Sequence, residues 1–288
     1  MASLVVLLLK HPLRTLRFSY TFVTLLVLAL LRRVLLPSFP SYQAFRIQCH
    51  RAFLSATSTA FPDLARRLPV GELPAARSRQ IYSDCAAYLI PGDRELDSFS
   101  SASPQQGGQK RCVALYAHGG GYARGEANMY VDYMERWVAV AKESGLDLVF
   151  LSVEYRIPAL STESPHPSQV RAFVSTYRKL LDDGFRSGDI VFMGDSAGGG
   201  LCVLSAIELP QLGLPQPAAS VLISPWMDLA MSAFEGGNPA VESDYFVMAN
   251  EAVPTLARQF AGSYGLDSPE VNPLYRPPED ICRAQSGS

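Results

Sequence analysis

Ser196 stands in "MGDSAGGG" (residues 193–200), directly after an apolar run and with a glycine two positions away on either side. The chemistry this arrangement could do is nucleophilic. Gly194-Asp195-Ser196-Ala197-Gly198 fits G-x-S-x-G, in which a serine on a sharp strand-to-helix turn projects its hydroxyl clear of the backbone toward a carbonyl carbon. Only neighbours without side chains leave room for so strained a turn. A helix beginning at Ala197 would aim its positive end at the oxyanion that develops. A second stretch, "HGGGY" (residues 118–122), supplies what attack on a carbonyl also needs: backbone N–H groups that can approach a substrate oxygen closely. One N–H is expected from this loop and another from Ala197, the residue after the nucleophile.

Two other glycine-and-serine chemistries fail on context. A phosphate-binding loop requires a Lys-Ser or Lys-Thr pair that is absent here. The "GDSAGG" of chymotrypsin-like proteases belongs to an all-β chain, and no run of short alternating strands surrounds this one.

A serine hydroxyl becomes a good nucleophile only when a base takes its proton, and in nucleophile-elbow enzymes the chain order is serine, acid, histidine. The four histidines are His11, His50, His118 and His166, and none follows Ser196. His166, in "SPHPSQ", is a candidate substitute base, and Asp228, after "SPWM", a candidate acid. Five cysteines are scattered singly without metal-ligand spacing, so neither a metal nor a disulfide framework is expected, and no cofactor is implied.

The elements that must position these residues show in the hydrophobic pattern. Apolar strands are expected at residues 113–118, 146–155, 189–194 and 219–225, with helices at about 128–143, 168–181 and 197–209 between them. Strands apolar on both faces and spaced by helices imply a parallel sheet covered on both sides, with right-handed crossovers. Ligands bind such sheets beyond the carboxyl ends of the strands, where both glycine motifs fall. Residues 99–110 read as a polar loop, residues 41–80 as mixed apolar and basic helix broken by Pro62, Pro69 and Pro74, and residues 227–270 as an insertion or lid.

The 288 residues suffice for one large α/β domain, and 48% apolar against 18% charged residues exclude a disordered chain. A net charge of −2 without a long basic run leaves no footprint for nucleic acid. Near the amino terminus, "FSYTFVTLLVLALL" (residues 18–31) carries no charge and lies between Lys10, Arg14 and Arg17 on one side and Arg32 and Arg33 on the other. It is shorter than the roughly 20 residues a spanning helix needs, and no small-residue cleavage site follows. An uncleaved, tilted or shallow membrane anchor is therefore expected, rather than a removed signal or a core helix.

"HGGGY", "VEYRIP", "GDSAGGG" and "SPWMDL", in this order, resemble the hormone-sensitive-lipase group of α/β-hydrolases, which includes arylacetamide deacetylase-like and fungal steryl-acetyl-hydrolase-like esterases; the resemblance spans about residues 110–275. It implies an α/β-hydrolase fold with a mostly parallel sheet, helices on both faces and a lid. Ser196 would be the acylated nucleophile, Gly119, Gly120 and Ala197 the oxyanion donors, and His118 and Asp228 structural. His166 would lie in a segment supporting the nucleophile's strand. The family's acid and histidine follow later strands, so two βα units, on the order of 60 residues, are expected to be missing and the hydrolase domain to be incomplete at its carboxyl end. The expected organisation is an anchor at residues 1–40, on the endoplasmic reticulum membrane, and a hydrolase domain at residues 41–288. The expected activity is hydrolysis of an acyl or acetyl ester of a small apolar molecule. The alternative is a binding protein like the plant gibberellin receptors, which resemble this family without its histidine, or an inactive truncated homologue.

Overall fold

The computed structural model describes residues 9–35, 45–61, 73–82, 86–100, 110–155, 165–232 and 252–277. They fall into two compact units, one of Met1–Leu64 with Met231–Leu256, the other of Ala65–Ala230 with Ala257–Ser288.

The larger unit is built on a six-stranded sheet. Its strands are β1 (Arg79–Tyr82), β2 (Ala87–Ile90), β3 (Lys110–Ala117), β4 (Leu146–Val153), β5 (Ile190–Asp195) and β6 (Ala219–Ile223), in the spatial order β1-β2-β4-β3-β5-β6. Strands β3 to β6 pair in parallel, whereas β1 with β2 and β2 with β4 pair antiparallel. The four expected strands all form. The sheet is mostly parallel, as expected; β1 and β2, which pair antiparallel at one edge, are not among the expected strands, since they are four residues each and too short to show a period.

Side-chain alternation along the central strands sorts the core into two layers. Val113, Leu115 and Ala117 of β3, with Val149, Leu151 and Val153 of β4 and Ile190 and Phe192 of β5, face one side. There they meet Phe173, Val174 and Tyr177 of the helix Pro165–Asp182 and Leu201, Cys202 and Leu204 of the helix Ala197–Glu208. Ala114, Tyr116 and Phe150 face the other side and meet Val131 and Met134 of the helix Val131–Glu143. In chain order, α1 is Pro12–Leu35, α2 Phe45–Ala60, α3 Val131–Glu143, α4 Pro165–Asp182, α5 Ala197–Glu208 and α6 Ala252–Ala261. The helix expected from Asn128 starts at Val131 because residues 127–130 form turns. The first turn of α4 is irregular, with non-helical dihedrals at His166 and Pro167.

The smaller unit contains α1 and α2, so the compact body holding the apolar segment runs through Leu64, beyond residue 40. Within the stretch expected to be a lid, α6 is the one helix among the described residues, and residues 233–251 lie outside them. Residues 101–109 of the polar loop and 156–158 of "VEYRIP" also lie outside.

Phe192 is completely buried, with the rings of Phe173 and Tyr177 edge-on to it at 5.0 and 4.9 Å. Phe192→Ala should cost about 3–5 kcal/mol of unfolding free energy, read by urea denaturation. A loss within experimental error of zero would mean that β5 is not packed as described.

Candidate active site

β3 and β5 are neighbours in register, Ala117 opposite Gly194, so the chain leaves both strands at the same edge of the sheet. Beyond β5, Ser196 sits at φ 50°, ψ −119°, a left-handed conformation that costs a residue with a side chain roughly 1–3 kcal/mol. Three backbone hydrogen bonds hold it there, from Ser196 N–H to Ile223 O at 3.0 Å and to Ser196 O from Trp226 N–H at 2.8 Å and Gly200 N–H at 3.1 Å. The flanking glycines are sterically required: a Cβ on Gly194 would come within 2.6 Å of Gly198, and one on Gly198 within 2.0 Å of Ala117 O. Ser196 is itself partly exposed, at the amino end of α5.

The glycine loop after β3 is tied to this turn by Asp195. Its Oδ1 accepts from Gly119 N–H and from Tyr116 O–H, both at 2.8 Å, and its Oδ2 accepts from Tyr130 O–H at 3.0 Å. Burial, and Asp195 beside them, push both tyrosine hydroxyls well above their ordinary range, so they act as donors at any physiological pH. Of the three expected oxyanion donors, Gly119 gives its N–H to Asp195. Gly120, Gly121 and Ala197 make no N–H hydrogen bond among the described residues. Gly120 and Gly121 have φ of 124° and 64°, and a Cβ on Gly120 would lie 2.1 Å from Arg124 O.

His118 is fully buried, its ring stacked on Tyr155 at 4.3 Å. Its Nδ1 donates to Gly119 O at 2.8 Å, and Tyr155 O–H donates to His118 O at 2.6 Å. Nε2 lies 3.9 Å from Glu154 Oε1, and Glu154 Oε2 accepts from Ala127 N–H at 2.9 Å. The ring thus braces the glycine loop from behind. The side chain of Tyr122, which closes the motif, stacks on Phe260 of α6 at 3.7 Å.

The other two candidates lie elsewhere in this unit. His166 is buried with the rings of Phe260 and Tyr264 edge-on to it at 5.5 and 5.4 Å. Burial, seconded by Arg276 and Arg171 and opposed by Glu270, pulls its pKa down to about 4. Asp228 Oδ1 accepts from Asn272 Nδ2 at 3.3 Å, and its carbonyl accepts from Trp226 Nε1 at 2.9 Å. Neither is hydrogen-bonded to Ser196 by any described contact. Among the described residues no three His, Cys, Asp or Glu side chains cluster as metal ligands, and Cys49, Cys112 and Cys202 are free thiols. Asp195, Tyr116 and Tyr130 were not singled out by sequence reasoning. Asp195 lay inside the quoted motif, but its partners come from two other segments.

A family model described as the alpha/beta hydrolase fold matches residues 114–285. This chain belongs to that family. An acetyl-hydrolase of Streptomyces hygroscopicus is 41% identical over 116 residues, 40% of this chain and 36% of the relative. The esterase LipU of Mycobacterium tuberculosis is 32% identical over 204 residues, 68% of this chain and 63% of the relative. The chain thus spans less than two thirds of the length of these curated relatives. A crystal structure of a hormone-sensitive lipase from a metagenome library superposes with a TM-score of 0.56 at 25% identity, covering 80% of this chain and 71% of that one.

Asp195→Ala leaves three donors without their acceptor, at roughly 1 kcal/mol or more each, and should destabilise the hydrolase unit by about 3 kcal/mol or more. In a double-mutant cycle, Tyr116→Phe should cost measurably less in the Asp195→Ala background than in wild type; strict additivity would show that the pair is not coupled. The pH dependence follows from His166. The unfolded histidine takes up its proton near pH 6.5 and the folded one only near 4, so stability is full above 6.5 and falls as pH drops through that window. Between pH 7 and 4.5 wild type should lose on the order of 2 kcal/mol more than His166→Gln, measured by urea melts. Parallel losses would place the ring in solvent.

Proposed function

We propose that this chain carries the nucleophile and oxyanion machinery of a serine carboxylic ester hydrolase acting on an acyl or acetyl ester of a small apolar molecule. One observation carries the reading: a serine held at φ 50° on a strand-to-helix turn, with Asp195 binding that turn to a glycine loop whose next N–H groups are unspent. In this reading Ser196 Oγ attacks the ester carbonyl, and the N–H groups of Gly120 and Ala197, joined by Gly121, hold the tetrahedral oxyanion. The alcohol leaves, and water hydrolyses the acyl-serine. Gly119 acts as a positioning residue. The relatives named acetyl-hydrolase and esterase support the substrate class.

The proton of Ser196 needs an acceptor, and no histidine follows Ser196 in the sequence. His166, with its proton affinity lowered to about 4 and aromatic rings around it, is a weak base for the task. Membrane attachment belongs to the same proposal. α1 is 24 residues long and apolar enough to enter a bilayer, with none of its residues buried, and the endoplasmic reticulum is the membrane we propose for it. In this reading residues 1–40, within the smaller unit, anchor the chain, and the larger unit of Ala65–Ala230 with Ala257–Ser288 is the hydrolase domain.

Incubating the purified chain with p-nitrophenyl acetate should place an acetyl group on Ser196, found by peptide mass spectrometry and absent in Ser196→Ala. With no histidine hydrogen-bonded to Ser196 among the described residues, the adduct should form and decay slowly, with turnover limited to the residual of about 10³–10⁴-fold over water that oxyanion donors and binding supply. Fast turnover would show that another base serves Ser196. Saturable binding of the ester with no adduct would favour a ligand-binding protein.

A further inference from the structure

α1 uses two opposite faces for two purposes. Thr15, Phe18, Phe22, Leu25 and Ala29 recur at alternating spacings of three and four and are half-buried. On this face Phe18 and Phe22 meet Phe53 of α2 edge-on at 5.8 and 6.2 Å. Leu13, Leu16, Tyr20, Val23, Val27, Leu30 and Val34 recur at the same spacings, displaced by two residues, or about 200° around the helix. All seven are exposed.

The partner helix runs the other way along α1. Arg33, at the end of α1, lies 6.0 Å from the ring of Phe45 at the start of α2, whereas His11, before α1, has its ring 6.5 Å from that of Phe61, just after α2. The pair is an antiparallel hairpin that the chain enters and leaves at one end. Ala52, Ala56 and Ala60, at four-residue intervals, are buried and allow close packing.

A bilayer could be crossed by α1, or α1 could lie along its surface, and three observations decide between these. The uncharged stretch of α1 is fourteen residues, so about 21 Å at about 1.5 Å per residue, against a hydrocarbon core of about 30 Å. α2, which would be carried in alongside a crossing α1, contains Arg46, His50 and Arg51 and four hydroxyl residues in its sequence of sixteen, a composition expensive in hydrocarbon. The apolar stripe covers one face of α1 along its whole length and leaves α2 on the opposite face, the pattern of a helix lying in the interface. Charge selects the lipid. The first 62 residues contain seven Lys and Arg and no Asp or Glu, and Lys10, Arg32 and Arg46 are exposed near the two ends of the hairpin.

We infer that α1 and α2 form a monotopic hairpin, with the Leu13-to-Val34 stripe sunk into one leaflet of an anionic bilayer and the amino terminus and hydrolase unit on the same side of that membrane. This deepens the membrane attachment proposed above and rests on it.

Two experiments on the whole 288-residue chain separate attachment from topology. With vesicles of phosphatidylcholine containing phosphatidylserine, the chain should float with the lipid about tenfold more than with phosphatidylcholine alone. Lys10→Glu/Arg32→Glu/Arg46→Glu should abolish that preference without changing Ser196 acetylation. A chain that does not float with either vesicle fails the attachment itself; equal flotation with both overturns the anionic preference. For topology, epitope tags are placed at the amino terminus, between α1 and α2, and at the carboxyl terminus, and each is tested with protease on sealed microsomes. All three tags should be cut or protected together. An amino-terminal tag on the opposite side from the carboxyl-terminal one shows a single crossing, and a middle tag alone on the far side shows two; either overturns the inference. If Val23→Arg instead dissolves a dimer and leaves flotation intact, the stripe binds a second copy and the inference also fails.

Discussion

The carboxyl group of Asp195 holds two chain segments 76 residues apart in one geometry. Sheet topology brings them near, because β3 and β5 are adjacent and parallel, but a strand end fixes a loop only to within several ångströms. The bond from Gly119 N–H, with those from Tyr116 and Tyr130, closes the remaining distance. Hydrogen bonds to a charged group contribute roughly 1.5–3 kcal/mol each, so the three together exceed the roughly 1–3 kcal/mol of strain at a single residue in a left-handed conformation. The strained turn at Ser196 can therefore persist.

Close approach of backbones imposes the second constraint, and it explains why α5 begins with three glycines. A Cβ on Gly198 would meet Ala117 O, one on Gly199 would meet Pro225 Cβ at 2.8 Å, and one on Gly200 would meet Trp226 O at 2.5 Å and Tyr122 Oη at 2.6 Å. Each glycine costs a helix about 1 kcal/mol relative to alanine. The deficit is offset by burial, since Leu201, Cys202, Leu204 and Ile207 of α5 are all in the core. Local propensity yields here to the site, as expected where a structure is shaped by function.

This conflict is also what made the site legible. Glycines crowded into the start of a helix, after an apolar strand, have few structural explanations, and the strands and helices from Lys110 to Ile223 follow from hydrophobic period alone to within a few residues. What could not be read depends on contacts between distant segments. β1 and β2 are held by pairing rather than by pattern. That Gly119, rather than Gly120 or Gly121, donates to Asp195 is set by a side-chain geometry that three identical glycines cannot encode. The surroundings of His166 come from Phe260 and Tyr264, about a hundred residues later, and no local signal marks them.

A second clamp acts on the far side of the glycine loop, independent of Asp195. Tyr122, with φ 62°, is buried with its ring against Phe260 and 5.8 Å from that of Trp226. Trp226 in turn donates its backbone N–H to Ser196 O, and the neighbouring Met227 and Asp228 bind Leu274 N–H and the Asn272 amide. The loop, the elbow and the segment after β6 are thus joined in a closed ring of contacts that passes through Ser196 itself. For the ester hydrolysis proposed above, the consequence is electrostatic. N–H dipoles locked in place before substrate arrives need no reorganisation when charge develops on the carbonyl oxygen, and that is the condition under which such donors lower a barrier most.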